Sequence, residues 1–157
     1  MATKLFEKYQ NSNKSEYENR IILITDAMPN TGMISDEGLL SYIKDNADKG
    51  IFTTFIGVGV DFNTELIEGI SDVKGANYYS VHNSKEFKER MGEQFEYMVT
   101  PLVFDLNLDF ESKDYEISMI YGSDTKNKES GNILKVNTLF PSKTTSTGEV
   151  KGRNSVT

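Results

Sequence analysis

The hydrophobic rhythm of the chain changes once, at Pro101. Before that point apolar residues come in solid runs separated by amphipathic stretches. Arg20-Ile21-Ile22-Leu23-Ile24-Thr25-Asp26 holds consecutive aliphatics without polar alternation, which predicts a strand covered on both faces, as in a parallel sheet. Ile51 to Val60 (IFTTFIGVGV) predicts a second strand of this kind, and Asn77 to Val81 (NYYSV) a third, shorter one. Helical patterns lie between them. Ile34-Ser35-Asp36-Glu37 reads as a helix start, with Ser35 as N-cap and Ile34 and Leu39 at the spacing of a hydrophobic staple. Leu39, Leu40, Ile43 and Ala47 then keep one apolar face as far as Gly50. Asn63 or Thr64 opens a helix carrying Leu66, Ile67 and Ile70. Asn83 and Glu86 have capping-box spacing, and Phe87, Met91, Phe95 and Met98 predict one helix running to Pro101. A short uncapped helix over residues 3–10 precedes the series. Three strand–helix repeats predict an α/β fold, a doubly wound, Rossmann-like parallel sheet of right-handed βαβ units.

After Pro101 the period becomes two. Phe104, Leu106, Leu108 and Phe110 alternate with Asp105, Asn107, Asp109 and Glu111, which predicts antiparallel strands with one buried and one wet face. Tyr115 to Tyr121 (YEISMIY) and Asn132 to Phe140 (NILKVNTLF) read as further strands. The remainder is Ser, Thr, Lys and Gly with little to bury, the composition of a disordered tail. The expected organisation is an α/β domain over residues 1–100, a β extension over 101–140 and a tail over 141–157.

Composition narrows the chemistry. Lys and Arg number 17 against 24 Asp and Glu, a net charge of 17 − 24 = −7, spread along the chain. That balance argues against a nucleic-acid partner, which needs a clustered basic face. The absence of Cys excludes a disulfide framework, a thiolate zinc site and a cysteine nucleophile. The single histidine, His82, excludes zinc sites of the HExxH type. Apolar runs fall far short of the roughly 20 residues that span a bilayer. The first residues, MATKLFEKYQ, lack the apolar core of a secretory signal.

Asp26 is the most informative position. Ligands of open α/β sheets bind beyond the carboxyl ends of the strands, and Asp26 follows such an end. A hard cation such as Mg²⁺ takes carboxylate, hydroxyl and water oxygens, and a strand-end Asp supplies one. The same position also suits an Asp that caps its loop by accepting backbone N–H groups. Gly57-Val58-Gly59 has part of a dinucleotide-loop spacing but closes a later strand and lacks the third glycine. Asp105, Asp109 and Glu111 share a strand face and read as solvated positions that discourage edge pairing. His82 has no acid or Ser marked by sequence as its partner, and reads as a surface or packing histidine. Of Tyr78 and Tyr79, alternation sends one to the core and one to the rim; a stacking platform would need basic neighbours.

The ordered set of these segments resembles the von Willebrand factor type A domain. RIILITDAMPN, from Arg20 to Asn30, is similar to that family's fourth strand and following loop. GIFTTFIGVGVDFNTELIEGISDVKGANYYSV, residues 50–81, is similar to its fifth strand, helix, glycine turn and sixth strand. SKEFKERMGEQFEYMVTPLV, residues 84–103, and the strands after it resemble the bacterial, calcium-activated-chloride-channel-like branch. The resemblance covers the first two thirds of the chain and the second half of the family's domain. It implies a metal-ion-dependent adhesion site, in which an Asp-x-Ser-x-Ser loop, a Thr and a strand-end Asp hold Mg²⁺. Only the last of these maps here, onto Asp26; the others are expected upstream of Met1. Thr3 falls in the helix after the family's Thr loop and is not given that role. Ala27 stands where the family often has Gly.

Three functions follow as expectations. The first is a non-enzymatic binding module, gripping an acidic group of a protein ligand through Mg²⁺ in the complete domain and only weakly in this chain. The second is a structural segment of a larger bacterial envelope or exported protein. The third is a metal-dependent hydrolase or phosphotransferase that uses Asp26. The family's strand order also implies an uncovered apolar edge at Ile21 to Ile24, and so a tendency to self-associate.

Overall fold

A computed structural model describes residues 2–9, 17–26, 36–59, 64–121 and 131–142. The expected helix start at Ile34 and Ser35, the loop after Asp26 from Ala27, Asn63 and the tail from residue 143 lie outside them. Strands β1 (Asn19–Thr25), β2 (Ile51–Val58) and β3 (Asn77–Val81) form a parallel sheet in the order β1-β2-β3. Helices α1 (Asp36–Asp48) and α2 (Thr64–Asp72) make the two crossovers, and α3 (Ser84–Met91) and α4 (Phe95–Val99) follow β3. Strands β4 (Val103–Asp109) and β5 (Asn132–Leu139) form a separate antiparallel sheet. A 3-10 helix covers Ala2–Tyr9. The fold is therefore α/β, with a parallel sheet followed by antiparallel strands.

Side chains alternate across the parallel sheet, and at β2 and β3 both of its faces are covered. Phe55 packs with Ile43, Leu66, Ile70 and Val73 beneath α1 and α2. Its neighbour Ile56 packs on the other face with Tyr79, Val81 and Met98, beside Phe87, Met91 and Phe95. The two tyrosines differ from expectation for the same reason. Tyr78 packs against the α1–α2 cluster and Tyr79 lies in the α3–α4 cluster, so neither is a rim residue. Arg90 sets its guanidinium 5.0 Å from the centre of the Tyr79 ring.

Three further expectations need correction. The helix from Ser84 is broken rather than continuous. Gly92 donates its N–H to Lys88 O, and Gln94 N reaches back five residues to Glu89 O, which ends α3 before α4 restarts at Phe95. Tyr115 to Tyr121 forms no strand: β4 pairs directly with β5, and Ser112 Oγ accepts the N–H groups of Asp114 and Tyr115, turning the chain aside. The apolar positions of β4 are also more open than a buried face requires, with Leu106 37 % and Leu108 52 % exposed.

The antiparallel sheet docks on the amino-terminal end of the parallel one. Arg20, at the start of β1, donates from Nη1 to Thr54 Oγ1 (3.0 Å) and to Gly75 O (2.8 Å). Its Nε and Nη2 both reach Glu18 Oε1, at 3.0 and 2.8 Å. The guanidinium lies 5.6 Å from the centre of Phe52 and 5.5 Å from that of Phe140, just after β5. Around it, Gly75 N donates to Thr138 Oγ1, Asn137 Nδ2 donates to Asp72 O, and Phe52 meets Phe104 with ring centres 5.2 Å apart. Gly75 is required here. Its φ is +71°, and a Cβ would overlap the Phe52 ring. Pro141 and Ser142, the first residues of the expected tail, are half-buried.

Candidate functional site

With its amino-terminal end occupied by β4 and β5, the parallel sheet presents chemistry at its carboxyl end. Pairing registers set Thr25, Gly57 and Ser80 in one row across the strands. At about 4.8 Å between strands, Thr25 and Ser80 stand roughly 10 Å apart. Asp26 follows Thr25 in a bend and is exposed, so the structure puts it where strand-end ligands bind. Gly59 turns the chain away from β2 with φ +68° and donates its N–H to Val81 O. The strand that bears Asp26 is an edge strand among the described residues, so these residues build one wall of a crevice rather than a switch point between two half-sheets.

The end of β3 carries a pair that sequence reasoning missed. Ser80 Oγ and His82 Nε2 are 3.1 Å apart, and both residues are on the surface. The histidine therefore does have a Ser partner, two residues back along an extended strand. The signal was readable: positions i and i+2 of a strand point the same way. The nearby carboxylate of Glu86 is engaged elsewhere. Its Oε2 accepts the backbone N–H of His82 (2.8 Å) and its Oε1 accepts from Asn83 Nδ2 (2.7 Å). Asn83 Oδ1 in turn accepts Glu86 N at 3.0 Å, completing the expected cap of α3. The His82 N–H is the main cause of a Glu86 pKa lowered below the ordinary value of 4.5, with the Asn83 hydrogen bond adding to it.

The remaining sequence candidates disperse. Asp105 has φ +53° and reaches Lys74 Nζ at 2.6 Å, while Asp109 Oδ1 accepts from Asn132 Nδ2 at 2.7 Å. Thr3 donates to Asn46 Oδ1 on α1 at 3.2 Å and serves packing. Among the described residues no three His, Asp or Glu side chains come together as a cation site. Asp26 is thus a single carboxylate donor, which does not satisfy the octahedral demand of Mg²⁺ on its own. An open cleft of about 500 Å³ lies between Phe110, Ile117, Ile120 and Ile133, away from the carboxyl ends of the parallel strands.

The class defined by this geometry is an α/β protein with a three-stranded parallel sheet, a separate two-stranded antiparallel sheet and a strand-end Asp. No helix among the described residues is long and apolar enough to cross a membrane. Comparison with protein-family models, with curated proteins and with solved structures finds no match.

Proposed function

We propose that the chain is a binding module of the von Willebrand factor type A kind, gripping an acidic group on a protein partner through a hard cation such as Mg²⁺. Asp26 is the ligand it contributes. The supporting observation is the exposed carboxylate of Asp26 at the carboxyl end of a parallel strand, on the sheet end that β4 and β5 leave open. Because Asp26 alone does not hold such an ion, the reading requires oxygen donors from an Asp-x-Ser-x-Ser loop and a Thr beyond those described. In the proposal the partner's carboxylate completes the coordination, and no bond is made or broken. The setting would be a bacterial envelope or exported protein.

A structural role has support of its own. The Arg20 guanidinium lies within 5.6 Å of the ring centres of Phe52 and Phe140 and bonds to three separate segments, so it links the β extension to the parallel sheet. Such a link suits a segment that transmits contacts inside a larger protein. A metal-dependent hydrolase or phosphotransferase built on Asp26 ranks below both.

Calorimetry with Mg²⁺ and Mn²⁺ tests the first reading. The chain alone is expected to show no binding below millimolar. Fusing a strand and an Asp-x-Ser-x-Ser loop beside β1 is expected to create binding that Asp26→Ala abolishes. Tight binding by the chain alone that survives Asp26→Ala would overturn the assignment.

A further inference from the structure

We propose that the apolar cleft of the β extension is a docking site for a basic, apolar peptide segment of another protein. Such a segment sets aliphatic side chains into the cleft and lysines or arginines along its rim. The cleft holds about 500 Å³, within the range of about 300–1,000 Å³ found for ligand sites. Phe110, Ile117, Met119, Ile120 and Ile133 line it, together with Glu116. Its lip is not closed over: Met119 is 58 % and Tyr121 84 % exposed. Alternation along β4 sets Leu108, 52 % exposed, on the side of Phe110, so the apolar wall extends past the cleft. Single exposed aliphatics are ordinary, whereas a group that bounds one cleft marks a contact surface. The residues joining Tyr121 to Gly131, GSDTKNKES, include no aliphatic or aromatic side chain that could fill it.

Charge selects the occupant. Asp109, Glu111, Asp114 and Glu116 fall within eight residues, against Lys113 alone, and all four are exposed. Asp109 is held at the cleft by its hydrogen bond from Asn132, next to Ile133, while Glu111 adjoins Phe110 and Glu116 adjoins Ile117. Among the described residues the ion pairs are Arg20–Glu18 and Lys74–Asp105, so none of the four carboxylates is neutralised there. An acidic rim repels nucleic-acid phosphates and anionic lipid headgroups. It also repels a second copy, whose own cleft is equally acidic in a chain of net charge −7. Basic residues of a partner are attracted instead, and the apolar residues between them gain burial. Because the cleft is open and its wall runs on to Leu108, it suits an extended stretch of chain. The site requires no cation and lies away from the carboxyl ends of the parallel strands, so it is independent of the reading of Asp26 as a ligand.

Fluorescence anisotropy of a short labelled peptide alternating leucine and lysine, titrated with the full chain in EDTA, measures the interaction. A leucine–glutamate peptide and a serine–lysine peptide are the controls. The leucine–lysine peptide should bind at least about tenfold tighter than either, and its affinity should fall as salt is raised. Ile120→Asp should weaken binding at least about tenfold although it adds a negative charge, which separates apolar docking from simple attraction. Glu116→Gln should weaken it severalfold, and Asp45→Asn, on the exposed side of α1, should leave it unchanged. In amide NMR spectra of the wild-type chain, shifts on adding the peptide should centre on Phe110, Ile117 and Ile133. No binding of the leucine–lysine peptide, equal binding of the serine–lysine peptide, or shifts centred elsewhere would overturn the proposal. So would shifts of these amides with the concentration of the chain alone, which would place a second copy in the cleft.

Discussion

Arg20→Ala is expected to be among the most damaging single changes in this protein. The side chain is 7 % exposed and its Glu18 partner 33 %. Burial lowers the guanidinium pKa, against the raising effect of the Glu18 hydrogen bond and charge. Arg stays cationic throughout the accessible pH range, so the desolvated charge is stabilised only by the groups around it. Truncation removes the hydrogen bonds to Thr54 Oγ1, Gly75 O and Glu18, and the cation–π contacts with two rings. It leaves a buried hydroxyl and a carbonyl without this donor. Glu18 is left at the surface, so the loss is that of the orphaned buried hydroxyl and carbonyl, about 1–3 kcal/mol each, from a total stability of order 5–15 kcal/mol. At about 2–4 °C per kcal/mol for a chain of this size, Tm should fall by roughly 10 °C. Urea unfolding followed by circular dichroism measures the loss. Hydrogen exchange should show β4 and β5 losing protection before β2 does, since Arg20 ties Phe140 to β1. A destabilisation under about 1 kcal/mol, below the cost of one orphaned buried group, would refute this reasoning. Unchanged protection in β4 and β5 would refute it too.

Two other outcomes follow from the geometry. Gly75→Ala should lose about 2–4 kcal/mol in thermal or urea melts, combining a positive φ with overlap of the Phe52 ring, and Phe52→Leu in the same chain should recover part of it. Glu86 contributes stability above the ordinary glutamate pKa, because its folded-state value is lowered. That contribution disappears as pH falls through the lowered value. The penalty of Glu86→Gln, read by calorimetric melts across pH, should therefore be present at neutral pH and vanish in strongly acid solution.

The parallel sheet was legible because β1, β2 and β3 are apolar runs bounded by turns and helix signals, and local pattern fixes such elements. The capping box at Asn83 and Glu86 was legible for the same reason. Position within the sheet was not. The composition of β1 announces cover on both faces, but among the described residues the strand stands at the edge, and only pairing reveals this. The strand expected over Tyr115 to Tyr121 had propensity, but Ser112 turns the chain aside there and β5 pairs with β4 instead. The break at Gly92 shows that an apolar repeat survives a change of helix: Met91 and Phe95 pack into one cluster on either side of it. Of the candidate site, Asp26 was readable from its strand-end context. The Ser80–His82 contact was readable from strand periodicity. Arg20 was hidden, because its partners come from residues 18, 52, 54, 75 and 140, and no local spacing connects them.

The central claim is that Asp26 marks a cation-dependent binding site at the carboxyl end of the sheet. Paramagnetic line broadening by Mn²⁺ in amide NMR spectra tests it most directly, because it reports position as well as affinity. Broadening should begin at Thr25 and Asp26, spread next to Gly59, and disappear in Asp26→Asn. Broadening centred on Asp105 and Asp109, or unchanged by Asp26→Asn, would contradict the account.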